Sequence, residues 1–197
     1  MTDLSRREAL PLLAGIPLLA AGVDVQTVVR AARAVQASLL DPGSFTPAFF
    51  TAHEYATVRV LAELVIPRDG RSGGALDAGV PEFMDFILAE HVSKQTLIRG
   101  GLAWLDHEAG RRYQHEFVEL ADADRRSILD DIAWPGKASA EYAQGVTFFT
   151  AFRDLTASGF FSSQVGVTDL KYLGNQVVTE WQGCPPEALA KLGVKYS

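Results

Sequence analysis

The chain has 197 residues, 48% of them hydrophobic, and a formal net charge of −6. Length and apolar content suffice for one domain with a real core, and an acidic balance with no visible cluster of Lys and Arg argues against nucleic acid as a partner. A single cysteine, Cys184, excludes an intrachain disulfide, and the lack of CxxCH and CxxC excludes covalently attached haem c and the usual cysteine-rich zinc or iron–sulfur sites on this polypeptide.

Residues 1–22 read as a targeting signal. A short polar start with Ser5-Arg6-Arg7 precedes a weakly hydrophobic run, 10–22, that is too short to span a bilayer and carries Pro11 and Pro17. Paired arginines ahead of such a run point to the twin-arginine export route, with Arg6 and Arg7 as its residues. Ala9 and Pro11 depart from that pattern, which favours a large apolar residue and Lys there, and Ala20-Ala21-Gly22 offers small residues for cleavage. The same stretch also reads as an ordinary amphipathic N-terminal helix. Residues 23–197 then form one domain. Over 24–40, Val25, Val28, Val29, Ala32, Val35 and Leu39 recur at helical spacing, a stripe able to pack on the domain or on a partner, and Asp41-Pro42-Gly43-Ser44 makes a turn.

Thr51 and Glu54 have the spacing of a capping box and predict a helix over 52–66, with Tyr55, Val58, Leu61, Ala62 and Val65 buried and Arg59 and Glu63 on the wet side. Pro67 stops it, since proline lacks the N–H that would continue the helix and biases Ile66 away from helical angles. A bend with glycines at 70, 73, 74 and 79 follows. Its spacing matches neither GxGxxG nor GxxxxGK[ST] and no strand precedes it, so a scaffold loop is favoured over a phosphate cradle. Pro81 suits the first turn of the next helix, where Glu82 and Asp85 face the positive end of the dipole. Phe83, Met84, Phe86, Ile87 and Leu88 make that helix apolar nearly all round, and therefore central.

A longer helix is expected over 93–113, with Leu97, Ile98, Leu102, Trp104 and Leu105 inside. Asp122 is read as the cap of a short helix carrying Ile128, Leu129 and Ile132, ended by Pro135-Gly136. The next helix, 140–158, aligns Tyr142, Val146, Phe149 and Phe152, with Gly159 as the glycine just past its end. No long alternating stretch occurs. The expectation is an all-α, single compact domain of about six or seven helices with an irregular C-terminal tail from Phe160 on.

Catalytic machinery is not legible in this chain. His107-Glu108 and His115-Glu116 lie eight apart on what reads as one helix, but neither HExxH nor a Glu-x-x-His pair occurs, and a solvated polar face is favoured over a metal site. Asp122, Asp124, Asp130, Asp131, Glu116 and Glu119 are read as wet-side carboxylates. GxSxG is absent, and Cys184 sits in a Pro-flanked loop far in sequence from every histidine. No catalytic, metal or cofactor residue is assigned. Phe45, Phe49, Phe50, Phe160, Phe161, Tyr172, Trp181 and Tyr196 stand in or beside loops, where they either fold back over the core or serve at an interface. Cys184 is either an inert thiol or half of an intermolecular bridge.

The run from Pro67 to Asp85, with Gly159-Phe160-Phe161-Ser162-Ser163, Gly183-Cys184-Pro185-Pro186 and Leu192-Gly193-Val194, resembles the gluconate 2-dehydrogenase subunit 3 family over about residues 51–194. Where that family often has Pro-Gly-Ala, this chain has Gly73-Gly74-Ala75. The resemblance implies a non-catalytic small subunit in the periplasm, membrane-associated through its complex. Such a subunit binds a flavin (FAD) partner of the glucose-methanol-choline type, helps it mature, and supplies the twin-arginine signal for export of the folded pair. The partner oxidises a sugar, sugar acid or glycoside, and a cytochrome c subunit with haem c takes the electrons. The positions of the glycines and loop aromatics in this chain suggest that it docks through the loop 67–81, with Pro67 and Gly74, together with the tail 159–197, with Phe160, Phe161, Tyr172, Trp181 and Cys184. In some relatives a disulfide joins small and flavin subunits. Two other readings stay open: an independent periplasmic hydrolase or lyase, and a structural protein anchored in a membrane by its N-terminal segment.

Overall fold

The computed structural model describes residues 45–171 and 183–195, with residues 26, 27, 29–31, 33 and 35 ahead of them. Those early residues are helical, and Val29, Ala31 and Val35 are buried, the last two within the core cluster. Of the N-terminal stripe, Val29 and Val35 are thus buried against the domain itself, Val25, Val28, Ala32 and Leu39 lying outside the described residues, and Arg30 there reaches Glu90 at 3.5 Å. Arg6, Arg7, Tyr172 and Trp181 lie outside the described residues.

Helix α1, Ala52–Val65, opens on the expected capping box: Glu54 N–H donates to Thr51 Oγ1 at 3.2 Å, and Thr51 N–H donates to Glu54 Oε2 at 2.8 Å. It stops before Pro67, with Ile66 at φ −130° and ψ 84°. Helix α2, Val80–Glu90, follows Gly79, whose φ of 69° favours glycine, and buries Val80, Phe83, Met84, Ile87 and Leu88. Helix α3, Val92–Tyr113, and α4, Asp122–Ala133, are joined through a 3₁₀ turn at Phe117–Glu119. After a second 3₁₀ turn, Ala140–Tyr142, come α5, Ala143–Ser162, then α6, Gln164–Asp169, and α7, Pro186–Leu192. Among the described residues there is no strand, and the all-α expectation holds.

Helix α5 is the hub, packed against α1, α2, α3, α4 and α6. Close approach is possible because small residues stand at the crossings. A Cβ on Gly101 of α3 would lie 1.9 Å from the Phe148 ring of α5, and one on Gly145 would lie 2.8 Å from both Ile132 and Trp104. The fully buried Phe148 and Phe152 rings fill the space between the helices.

An acidic side chain of α2 sits inside this core. Asp85, 3% exposed, accepts the backbone N–H of Ala48 at 2.8 Å on Oδ2 and those of Phe49 and Phe50 at 3.0 and 2.9 Å on Oδ1. Three donors satisfy a carboxylate that burial would otherwise penalise heavily. The contact lays residues 48–50 over α2 and buries Phe49 and Phe50, whose segment Arg99 also holds by donating to Phe49 O at 2.5 Å and stacking 4.4 Å from its ring.

Several local expectations are corrected. Asp85 serves the backbone of residues 48–50, not the dipole of its own helix. Ala121 is the N-cap of α4, and Asp122 pairs instead with Arg126 at 3.1 Å. Leu97, expected inside, is 37% exposed. Gly159 is a helical residue: α5 continues to Ser162 because Gly159 is where it passes α2, an ideal Cβ there falling 2.9 Å from Phe83. His115 lies beyond the end of α3, so it shares no helix with His107. Glu108 is buried, not solvated: Arg111 donates to it at 2.6 and 2.9 Å and Arg112 at 2.5 Å, which holds its pKa down to about 2, chiefly through Arg111 and against the cost of burial. Arg112 carries this cluster onward to Asp131 at 2.8 Å and the Tyr142 hydroxyl at 3.1 Å, tying α3 to α4 and to the entrance of α5.

His53 makes the corresponding tie for α1. Its Nε2 is 2.7 Å from Asp106 Oδ2 on α3, and its Nδ1 is 3.5 Å from Glu116 Oε2. The Asp106 hydrogen bond, opposed by burial and aided by the charges of Asp106, Glu116 and Glu54, raises the His53 pKa above its usual value.

Two outcomes follow from these contacts. Asp85→Asn keeps the shape but leaves a buried N–H facing an amide donor, and should cost about 3 kcal/mol in urea unfolding; a loss within error of zero would refute the anchoring role. For His53, a raised folded pKa means a contribution fully present below about pH 6.5 and lost as pH rises through the raised value. His53→Gln should therefore lower the melting temperature most at mildly acidic pH and least under alkaline conditions, and a pH-independent loss would contradict the assignment.

Candidate partner interface

The loop between α1 and α2 is built around Glu63, one turn before Pro67. Its Oε1 accepts the N–H of Arg68 at 2.9 Å and its Oε2 that of Leu76 at 3.2 Å, so one carboxylate on α1 closes both ends of the loop. Glu63 was expected on the wet side beside Arg59; instead it turns into the loop. Ala75 N–H donates to Ile66 O at 2.8 Å. At the tip, Asp69 Oδ1 accepts the N–H groups of Arg71 and Ser72, both at 2.8 Å, and these bonds, Ser72 first, hold its carboxyl below the usual range. On the return, Asp77 accepts Gly74 N–H at 2.8 Å and pairs with Arg68.

Gly74 occupies a position with no room for a side chain. A Cβ there would fall 2.5 Å from both Arg68 N and Glu63 Oε1. The loop is thus fixed by three carboxylates, and the glycine at 73 in place of proline does not leave it slack.

The structure brings this loop to one part of the predicted tail. Arg71 Nε and Nη2 pair with Asp169 of α6 at 2.8 and 3.0 Å, and the C-terminal end of α5 lies against Val80 and Phe83 at the start of α2. Pro67 is exposed on the rim of the loop and Gly74 is buried within it. Phe160, by contrast, is 2% exposed, within the core, its ring 5.2 Å from that of Phe161. As a core residue it is a correction to the expected docking set, because the extra turn of α5 points it inward. Phe161 is half-buried against the core, and Cys184 is exposed ahead of α7.

Other exposed apolar side chains escaped the sequence reading: Trp134 at 62%, Leu170 at 58%, Leu192 at 71% and Val194 at 51%. No helix in the described residues is long and apolar enough to cross a membrane, and among them no group of three or more His, Cys, Asp and Glu is placed to hold a metal ion.

Beside the loop, along α1, runs an open groove of about 530 Å³. Ala56, Val60, Leu64, Pro67, Leu76 and Val118 give it an apolar floor. Together the loop and groove form a continuous surface set on a rigid scaffold, the arrangement expected of a recognition site. Gly74→Ala should displace Arg68 and Glu63, cost about 2 kcal/mol, and speed tryptic cleavage after Arg68 and Arg71 in the folded protein; unchanged stability and cleavage would show that the loop does not depend on this close approach.

A family model described as Gluconate 2-dehydrogenase subunit 3 matches residues 52–182. No curated protein and no solved structure matches the chain. The matched span starts at the first residue of α1 and takes in the loop, α2 and the helices through α6. The description is that of one subunit in a multi-subunit gluconate dehydrogenase. With most of the folded unit inside the match, the chain belongs to the gluconate 2-dehydrogenase subunit 3 family.

Proposed function

We propose that this chain is the non-catalytic small subunit of a periplasmic, FAD-dependent sugar, sugar-acid or glycoside dehydrogenase. It binds a catalytic subunit of the glucose-methanol-choline type, assists its maturation, and carries it through the twin-arginine route by means of Arg6 and Arg7. FAD resides on that partner, and haem c on a cytochrome subunit that accepts the electrons. The observation that carries this reading is the family match across residues 52–182, which covers the helical unit and its loop. The built loop, with Gly74 packed against Glu63 and Arg68, supports it: three carboxylates spent on fixing one turn suit a surface that must be presented in one shape to another protein.

The test is purification of the tagged chain from its host, with an absorbance spectrum and a sugar-oxidation assay on the eluate. A larger co-eluting polypeptide with flavin absorbance, active on a sugar or sugar acid in the presence of an electron acceptor, is the expected result. A colourless, solitary chain would overturn the proposal, and activity of that solitary chain on a glycoside or ester would favour an independent enzyme.

A further inference from the structure

The turn between α3 and α4 forms one wall of the groove along α1, and it is held to the domain in two chemically different ways. Asp106 Oδ1 accepts the N–H of Phe117 at 3.0 Å, and Arg125 of α4 donates to the carbonyls of Phe117 and Val118 at 3.2 and 2.6 Å. These bonds act on the backbone and fix Phe117, which is fully buried, and Val118, which lines the groove. The start of the turn, just after Gln114 at φ 63°, is held by charge. Glu116 Oε2 stands 3.5 Å from Nδ1 of His53, across on α1, while the other ring nitrogen, Nε2, is 2.7 Å from Asp106 Oδ2.

An imidazole with a carboxylate on each nitrogen is complementary to one protonation state. The imidazolium presents an N–H to both; the neutral ring has one N–H and one lone pair, so it keeps one carboxylate and sets the lone pair against the other. The shorter contact, to Asp106, is the one retained, and Glu116 is the one released. The other carboxylates near the ring have partners of their own: Glu54, on the same helix, is 3.5 Å from Arg99 of α3, and Glu119 of the turn is 3.4 Å from His115. We infer that His53 is a proton-operated latch on the turn 114–119: its imidazolium pins Glu116, and loss of the proton frees the start of the turn and loosens the groove wall that carries Val118. The latch belongs to this chain alone and does not rest on the function proposed above. Because the His53 pKa is raised, first by the Asp106 hydrogen bond and in part by the Glu116 charge, the latch is fully set below about pH 6.5 and is released as pH rises through the raised value.

The test is hydrogen exchange of the full chain, read by mass spectrometry on peptides spanning 114–120, from mildly acidic to alkaline pH and corrected for the intrinsic pH dependence of exchange. The titration of His53 is followed in parallel by NMR. Protection of this segment should fall by about threefold as pH rises, the size expected of a half-exposed ion pair, with its midpoint at the His53 pKa. His53→Gln should show the weaker protection throughout and no transition. Glu116→Gln, which keeps the histidine and its Asp106 contact, should also abolish the transition and should lower the His53 pKa. Three results would overturn the latch: protection of 114–120 independent of pH in the wild type, a His53 pKa unchanged in Glu116→Gln, or a transition that survives in His53→Gln, which would assign the response to His115.

Discussion

The buried carboxylate of Asp85 is the contact on which the rest of the arrangement depends. By accepting three consecutive backbone N–H groups at residues 48–50, it fixes the entry into α1 against the middle of α2. Two further contacts fasten the same helix pair along its length: the Tyr55 hydroxyl donates to Glu82 at 2.6 Å, and Glu63 closes the connecting loop. Burial and the Glu82 hydrogen bond push the Tyr55 pKa up, so its hydroxyl stays a donor across the physiological range. The loop is therefore the closed end of a pair of helices held at both ends and in the middle, which is why it holds one shape without a proline at 73.

Around that pair, α5 acts as the common wall. Its approach to α3 and α4 requires missing side chains at Gly101 and Gly145, and the Glu108–Arg112–Asp131 cluster ties the same elements on their polar side. Apolar interlocking and a half-buried ion network thus act on the same helix crossings. The network contributes positional specificity more than net stability, since desolvating the charges offsets much of their attraction.

That surface has two parts of different character. The loop is polar and internally satisfied; the groove next to it leaves Val60 and Leu64 half-exposed beneath arginines. Polar fixed loops give orientation and apolar grooves give contact area, a division common at protein interfaces. The exposed Leu192 and Val194 near α7 add apolar side chains that the domain itself does not cover.

Local physics made much of this fold legible in the residues alone. Thr51 and Glu54 announced the start of α1, Pro67 its end, and Pro81 the opening of α2, because caps and prolines act through backbone groups within a turn of themselves. Periodic apolar residues placed Ile98, Leu102, Leu105, Ile128 and Phe152 inside. Gly159 misled for the same local reason: a glycine after a helical run is a stop signal unless a neighbouring helix needs the space, and only Phe83 on α2 reveals that it does. Asp85 and Glu63 carried no local sign that they would be turned inward, since their partners lie up to 37 residues away or on the opposite wall of a loop; Glu108 has Arg111 and Arg112 three and four residues on, and only the packing of its helix decided that it is buried. The chain by itself determined which segments between residues 52 and 158 are helical, because those decisions rest on hydrogen bonds a few residues long, but the tail expected to be irregular from Phe160 on also holds α6 and α7. Only the tertiary structure decided which carboxylates are anchors, which aromatic residues are core, and where an apolar groove opens along α1, because each depends on groups that meet only after the helices have packed.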